Sequence, residues 1–154
     1  MNKFMKVAIE EAFCGIRNTD GGPFGAVIVK DGQIITKAHN EVIKTNDPTA
    51  HAEIVAIRRA SAILGRFDLS DCEIYSSCEP CPMCFAAIHW AKMKKLYYGC
   101  TKEDAARIGF DDQYIYDVIN GTAKTTQVHK AQIDRNLSLK PFEEWKLKIN
   151  RIQY

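Results

Sequence analysis

A two-residue turn, Asp31 followed by Gly32, separates two β-rich segments and constrains the fold more than any other feature of this sequence. Asp-Gly between apolar segments is a strong signal for a tight β-hairpin. Residues 24–30 and 33–38 are therefore predicted to be antiparallel neighbours in a sheet. Residues 2–16 precede the hairpin, and their apolar side chains recur at the spacing of an amphipathic helix.

Helical and β-rich segments alternate after the hairpin. The predicted helices are residues 49–64, 83–92, 113–120 and 141–150, and the predicted strands are residues 72–76, 95–100 and 125–133. Strands connected through helices usually run parallel, through right-handed crossovers. The sequence therefore predicts an α/β fold, with one antiparallel hairpin in a mixed sheet and helices on both of its faces.

Length and charge narrow the functional classes. The chain has 154 residues, which fits a single domain over residues 1–154. Twenty-one Lys and Arg residues against nineteen Asp and Glu residues give a net charge of +2, which is too near balance to indicate a nucleic-acid or membrane partner, and we expect neither. No apolar segment reaches the roughly 18–20 residues of a spanning helix, and no secretory signal is recognisable. We therefore expect a cytoplasmic protein whose six cysteines are reduced and available for metal binding or catalysis.

Three side chains form a pattern typical of a zinc site: His51, Cys81 and Cys84. The two cysteines are three residues apart at a predicted helix start, so their sulfur atoms can converge on one side. A helix N-terminus lowers the pKa of a thiol and favours the thiolate that a metal requires. His51 lies near the start of the preceding helix. Both helix N-termini are expected at the same end of the sheet, where α/β proteins bind ligands.

One imidazole and two thiolates leave the fourth position of a tetrahedral zinc ion for water, as in catalytic sites. Glu53 is the expected general base. Two residues after His51, it is rotated about 200° around the helix and does not chelate beside the imidazole. It can instead approach the water and pass a proton to a substrate. The sequence therefore predicts one zinc ion per chain, with Glu53 as the catalytic residue.

The same cysteine spacing allows two other interpretations. A Cys-x-x-Cys pair can be a redox pair or half of a structural zinc site. The redox interpretation lacks a thioredoxin-like context. A structural zinc site needs a fourth ligand, for which Cys78 is best placed, three residues before Cys81.

Four segments extend the pattern beyond the metal ligands: GPFGA at residues 22–26, NDPTAHAE at 46–53, SCEPCPMC at 77–84 and GFDD at 109–112. With these motifs the chain resembles the cytidine-deaminase superfamily, whose signature is His-x-Glu followed by Pro-Cys-x-x-Cys. It resembles most the small bacterial guanine deaminases, over nearly the whole chain. The zinc motifs do not select the base, whereas Phe110, Asp111, Asp112 and the terminal Tyr154 favour guanine.

The resemblance implies a five-stranded mixed sheet in a three-layer α/β/α fold. It implies zinc on His51, Cys81 and Cys84, and hydrolytic deamination of guanine to xanthine and ammonia in purine metabolism. It also implies a homodimer that exchanges its C-terminal segments. The residues that it places around the base are Phe24, Asn40, Trp90, Asp112 and Tyr154, of which Asp112 and Tyr154 are expected to reach the partner's zinc site.

Each pocket residue also has a structural interpretation. Phe24 and Trp90 can be core aromatics, and Asn40 can serve a turn. Asp112 can cap a helix, and Tyr154 can be a frayed end. Two other functions also stay open. One is deamination of tRNA adenosine, cytosine, guanosine or a triazine, and the other is zinc binding without catalysis.

Overall fold

The computed structural model describes residues 2–154 and contains a four-stranded sheet in the order β2-β1-β3-β4. The strands are β1 (Gly25–Lys30), β2 (Gln33–His39), β3 (Cys72–Cys78) and β4 (Lys95–Cys100). β1 pairs antiparallel with both β2 and β3, and β3 pairs parallel with β4. The sheet is therefore mixed, as the sequence predicts.

The predicted hairpin is confirmed. Asp31 and Gly32 both have positive φ, 50° and 74°, as a type I′ turn requires. This turn pairs Lys30 with Gln33 and sets the antiparallel register of β1 and β2.

Helices cover both faces of the sheet. They are α1 (Lys3–Arg17), α2 (Val42–Thr45), α3 (Ala52–Leu64), α4 (Pro82–Trp90), α5 (Lys102–Arg107), α6 (Gln113–Ile119), α7 (Arg135–Ser138) and α8 (Lys140–Leu147). Successive β1 side chains point to opposite faces. Ala26 and Ile28 pack in a core cluster with α3 and α4, whereas Val27 and Val29 pack against α1. The three-layer α/β/α prediction is confirmed.

The buried face of α3 is made of small side chains. Ala52, Ala56 and Ala60 recur every four residues and are fully buried. Their size lets the helix lie close to β1 and β2, with which it packs. The helix ends at Gly65, which has a φ of 64° and whose N–H donates to the Ser61 carbonyl.

The prediction of a fifth strand is wrong for this structure. Residues 125–133 form no strand, and β4 has no strand on its outer side among residues 2–154. Tyr97 and Tyr98 of β4 are 44% and 48% exposed. Nearly every side chain from residue 119 onward is also exposed. The segment therefore lacks the cross-strand partner that would convert its β-propensity into a strand.

None of the helices within residues 2–154 is both long and apolar enough to span a membrane.

Candidate active site

Two helix N-termini bring three ligand atoms together. β2 and β3 run in the same direction, so α3 and α4, which follow them, begin at the same end of the sheet, where the carboxyl ends of these strands lie. His51 is the N-cap of α3, Cys81 is the N-cap of α4, and both have extended backbone. His51 Nδ1 lies 3.5 Å from Cys81 Sγ and 3.5 Å from Cys84 Sγ. The sequence prediction that these three side chains meet is confirmed.

The spacing of these atoms fits a zinc ion. A tetrahedral zinc ion with N at about 2.0–2.1 Å and S at about 2.3 Å holds N and S ligands about 3.6 Å apart. All three ligand atoms lie within 4.8 Å of one another. Within residues 2–154 this is also the one group of three such side chains with that geometry. Three ligands leave the fourth tetrahedral position free for water or substrate.

The two sulfur atoms differ in their protonation. A hydrogen bond from Cys84, followed by the contact with His51, lowers the pKa of Cys81 to about 4. The same contact with Cys81, together with burial, raises the pKa of Cys84 well above its ordinary value. The contact therefore favours the thiolate form at Cys81 over Cys84, and a cation bound by both sulfur atoms would displace the remaining proton.

Cys78 does not join this group. Its Sγ lies 3.5 Å from the Thr101 carbonyl oxygen, and burial raises the pKa of its thiol to about 12. It is therefore a neutral thiol. The structure does not bring it to the metal position that a fully coordinated structural site would need.

Glu53 lies in the first turn of α3 and is 6% exposed. Ser76 of β3 donates a hydrogen bond of 2.9 Å from Oγ to Glu53 Oε1. Burial raises the pKa of the carboxyl group. Glu53 therefore has one oxygen fixed by Ser76, and its carboxyl group also lies within hydrogen-bonding reach of Cys84, one of the proposed ligands. Ser76 was missed at the sequence level, because one serine in a strand carries no signal of its partner on a distant helix.

Phe24 and Asn40 lie side by side where β1 begins and β2 ends. The Asn40 N–H donates to the Phe24 carbonyl at 3.0 Å, and the Glu41 N–H donates to Ala50, next to His51. Asn40 is 4% exposed, and its Oδ1 accepts from the Val42 N–H at 3.1 Å. Its Nδ2 has no hydrogen-bond partner among residues 2–154 and is not fully enclosed. Asn40 therefore serves a turn with its oxygen and has its amide nitrogen available for a ligand.

The segment before α6 packs against Phe24 and places Asp112 near the proposed ligands. The Phe110 ring meets the Phe24 ring edge-on at 5.0 Å. Burial, followed by the negative charge of Cys81, raises the pKa of Asp112. Asp112 is the N-cap of α6 but makes no capping hydrogen bond with its side chain. Its carboxyl lies within the electrostatic reach of Cys81 of its own chain, and the expectation that it reaches a partner's zinc site stays a prediction.

Trp90 and Tyr154 lie away from this group. Trp90 ends α4, eight residues after Pro82, which corresponds to about 12 Å along the helix axis from the ligand end. Trp90 is 66% exposed, and its ring lies 6.2 Å from the ring of Tyr154. Tyr154 also lies 6.2 Å from Phe67. The structure therefore does not bring these two predicted pocket residues to the ligands of their own chain.

Comparisons with known proteins agree with this arrangement. The sequence model for the "Cytidine and deoxycytidylate deaminase zinc-binding region" matches residues 1–100. The chain belongs to this zinc-dependent deaminase family. The match includes all three candidate ligands and Glu53.

Relatives of this deaminase-family chain differ in how much of it they cover. The guanine deaminase of Bacillus subtilis (strain 168) is 47% identical over 151 residues, which are 98% of this chain and 97% of that protein. The X-ray structure of guanine deaminase from Bacillus subtilis superimposes with a TM-score of 0.94 and covers 100% of this chain and 99% of that one. The tRNA-specific adenosine deaminase of Agrobacterium fabrum is 46% identical, but only over 97 residues, 62% of each chain.

Proposed function

We propose that this protein is a zinc-dependent aminohydrolase that converts guanine and water to xanthine and ammonia, in purine salvage or catabolism. The full-length similarity to a guanine deaminase carries this proposal, because it extends past residue 100 into the segments that surround the base. The tRNA-specific adenosine deaminases are less similar: one is 46% identical over 62% of the chain, and one from Streptococcus pyogenes is 34% identical over 87% of it.

His51, Cys81 and Cys84 are proposed to hold one zinc ion per chain. Their N–S distances of 3.5 Å support this assignment. When bound, zinc supplies a Lewis acid that activates water as the nucleophile. Two thiolates cancel the formal charge of the ion, so the chain must add a dedicated proton carrier.

Glu53 is the proposed proton carrier. Because Ser76 occupies Oε1, the proton is taken up and released at Oε2. Oε2 carries two protons in turn: the first passes from the attacking water to the ring of the base, and the second passes from the hydroxyl group then on C2 to the departing amine. Burial raises the pKa of the carboxyl group, which favours retention of the proton between these transfers.

The proposed base pocket combines one ring and two polar groups. Phe24, braced by Phe110, offers a face for stacking on a planar base. The free Nδ2 of Asn40 can donate to an acceptor on the purine edge. The Asp112 carboxylate can accept from the N–H groups beside the amino group of guanine. The pocket therefore favours a free purine base.

We further propose a homodimer in which the C-terminal segments are exchanged. The open outer edge of β4 and the exposed segment 119–154 support exchange, since unpaired strand edges recruit other chains. In this dimer the partner's tail brings the Tyr154 ring over the base pocket. All six cysteines are free thiols, which suits a cytoplasmic location.

The test is ammonia release by the zinc-loaded protein from guanine, guanosine, adenosine, cytosine, ammeline and a tRNA anticodon stem-loop. We expect guanine to have the highest kcat/KM. Faster turnover of adenosine in the stem-loop would assign the protein to tRNA editing. No release from any substrate would support a non-catalytic zinc module.

Metal analysis tests the ligands separately from activity. We expect one zinc ion per chain in the wild-type protein and in the Cys78→Ser control. Cys81→Ser and Cys84→Ser are expected to lose zinc. Loss of zinc from Cys78→Ser would show a fourth protein ligand and contradict the open coordination position.

A further inference from the structure

A buried polar cluster behind Asn40 has no part in the chemistry proposed above. His39, the last residue of β2, is 8% exposed. Its Nδ1 lies 3.0 Å from Glu11 Oε2, and its Nε2 lies 2.8 Å from Asp20 Oδ2. Because carboxylates only accept hydrogen bonds, both ring nitrogens donate when both contacts are made. The imidazole therefore ties α1, which carries Glu11, to the loop that follows α1, which carries Asp20.

Two lysine side chains form ion pairs with the carboxylates of this cluster. Lys37 Nζ lies 2.9 Å from Glu11 Oε1, and Lys44 Nζ lies 3.4 Å from Asp20 Oδ2. Buried ionic groups of this kind are weak contributors to net stability, because desolvation offsets much of the attraction between the charges. Their clearer effect is to specify one arrangement of the segments that they join. The cluster is therefore better explained by the segments that it holds in place than by a gain in stability.

Asp20 also fixes the loop through its backbone. Its carbonyl oxygen accepts from the N–H groups of Ile43 and Lys44, both at 3.0 Å, and its own N–H donates to Gly15 at 3.0 Å. With the His39 contact, Asp20 is held by its side chain, its carbonyl and its amide. Residue 20 is thus pinned on both sides, to α1 and to the segment that follows Asn40.

The loop that begins at Asp20 leads directly to the proposed base contacts. Gly21 lies flush against Asn40, since a Cβ atom at Gly21 would overlap the Asn40 amide oxygen. Three residues later, the Phe24 carbonyl accepts the Asn40 N–H at 3.0 Å. The loop thus contacts Asn40 at both ends, and Asn40 follows His39 in the chain.

We propose that His39, through Asp20 and Glu11, is a positioning residue that sets the base-binding geometry of Phe24 and Asn40. This inference rests on the proposed function. Phe24 and Asn40 hold the base before and during reaction alike, so their displacement weakens ground-state and transition-state binding equally. Glu53 and the metal ligands belong to α3 and α4, outside the loop. Loss of the contacts of His39 with Asp20 and Glu11 therefore raises the KM for guanine and leaves kcat nearly unchanged.

The experiment compares the zinc-loaded wild-type protein, in the oligomeric state in which it purifies, with the variants His39→Gln and Asp20→Asn. We expect each variant to raise KM about tenfold and to change kcat less than about threefold, as expected for loss of uniform binding. The double variant should have a KM no higher than that of the single variants, because both substitutions affect the same contact between His39 and Asp20. Lys37→Gln is the matched control. It removes the positive charge of Lys37 beside Glu11 at the surface but leaves the contact between His39 and Asp20, so the KM for guanine should be unchanged.

Amide hydrogen exchange supplies a readout that does not depend on turnover. Residues 20–24 should exchange faster in His39→Gln and Asp20→Asn, whereas α3 and α4 should retain wild-type protection. The inference is overturned if the variants lower Tm but keep the wild-type KM and exchange pattern, or if kcat falls while KM does not. Failure of the wild-type protein to deaminate guanine would instead refute the proposed function, and the exchange data would still decide whether His39 orders the loop.

Discussion

Glu53 is held by a hydrogen bond from Ser76 to one carboxylate oxygen and is the proposed proton carrier, which makes a direct prediction possible. Glu53→Gln keeps the shape and can still contact Ser76, but it cannot carry a proton. We expect ammonia release from guanine to fall by about 10²–10⁴ or more, the usual contribution of a general acid–base group. Zinc content should stay at the wild-type level, since Glu53 is not among the three ligand atoms that meet.

Glu10→Gln is the matched control for this prediction. Glu10 lies on the exposed surface of α1, where it forms an ion pair with Lys6 at 3.8 Å. It should leave both turnover and zinc content unchanged. Near-normal turnover in Glu53→Gln, or loss of zinc from the folded variant, would contradict the role of proton carrier.

Asp112 tests the choice of base. Asp112→Asn keeps one accepting oxygen but removes the negative charge and replaces the other oxygen with an N–H donor, so one of the two N–H groups of guanine that the carboxylate accepts loses its acceptor. We expect kcat/KM for guanine to fall by about 10- to 100-fold, since a hydrogen bond to a charged group contributes about 1.5–3 kcal/mol. The measurement is steady-state kinetics with guanine. Asp111→Asn is the control, because Asp111 Oδ1 accepts from the Gln113 N–H and an amide oxygen can do the same. An equal loss in both variants would remove Asp112 from the base pocket.

The spacing of residues in the sequence predicts the metal ligands well and the pocket only in part. His51, Cys81 and Cys84 follow from local rules, because each lies at or near a helix start that the sequence marks. Trp90 and Tyr154 were placed by resemblance alone, and their rings lie 6.2 Å from each other where α4 ends, whereas the ligands lie where α4 begins. The distance between two ends of one helix is set by geometry that a motif does not encode.

At the scale of elements, the His39 cluster predicts how stability responds to acid. Burial raises the pKa of Glu11, but contacts with Lys37 and His39 lower it further, to a net value below the ordinary one. The hydrogen bond from His39 lowers the pKa of Asp20. A lowered pKa in the folded state contributes stability above the unfolded-state pKa, and that contribution is lost as the pH falls through the folded-state pKa.

Chemical denaturation of wild type and His39→Gln at matched zinc content measures this contribution. The wild-type protein should have the larger free energy of unfolding at about pH 6, and the difference should shrink between about pH 5 and 3 as the carboxylates are protonated. Glu10→Gln breaks only an exposed pair and should differ little from wild type at any pH. A difference that stays constant or grows with acidity would refute the assignment.

Long periodic segments and turn chemistry account for the elements that the sequence predicts correctly. The hairpin follows from Asp31 and Gly32, and α1 and α3 follow from periodic apolar residues and a terminal glycine. The four- and six-residue helices α2, α5 and α7 were missed, because one turn or so carries too little periodicity. Residues 125–133 were predicted as a strand on composition, and composition does not reveal whether a partner edge is available within the same chain.

At the scale of the whole molecule, the exposed apolar side chains are concentrated at the C-terminal end. Large hydrophobic residues at least 60% exposed include Ile119, Val128, Ile133, Leu137, Phe142, Leu147, Ile149, Ile152 and Tyr154. A monomer would leave this surface in water, whereas exchanged segments would bury it against the partner. The proposed dimer would supply both a neighbour for the open edge of β4 and a tail for the base pocket.

Deletion of residues 151–154 tests whether the tail closes an active site. The deletion removes the Tyr154 ring, which packs 6.2 Å from Trp90 and from Phe67. We expect a strong loss of guanine turnover with zinc content and secondary structure retained, because closure of the pocket excludes bulk water and strengthens its electrostatics. The measurements are ammonia release, metal analysis and circular dichroism. Tyr154→Phe is the matched variant, since it keeps the ring and isolates the hydroxyl.

Complementation then decides whose site the tail closes. The truncated chain keeps Glu53, and the Glu53→Gln chain keeps its tail, so neither homodimer should be active. In a mixed dimer with exchanged tails, one site combines the intact Glu53 of the truncated chain with the tail of the other. Co-expression with two different affinity tags, followed by sequential purification, isolates these mixed dimers. Recovered ammonia release supports exchange, because the two defects then fall in the same site and leave the other site intact. Purified mixed dimers without activity would show that each tail acts on its own chain, which would place both defects in separate, individually dead sites.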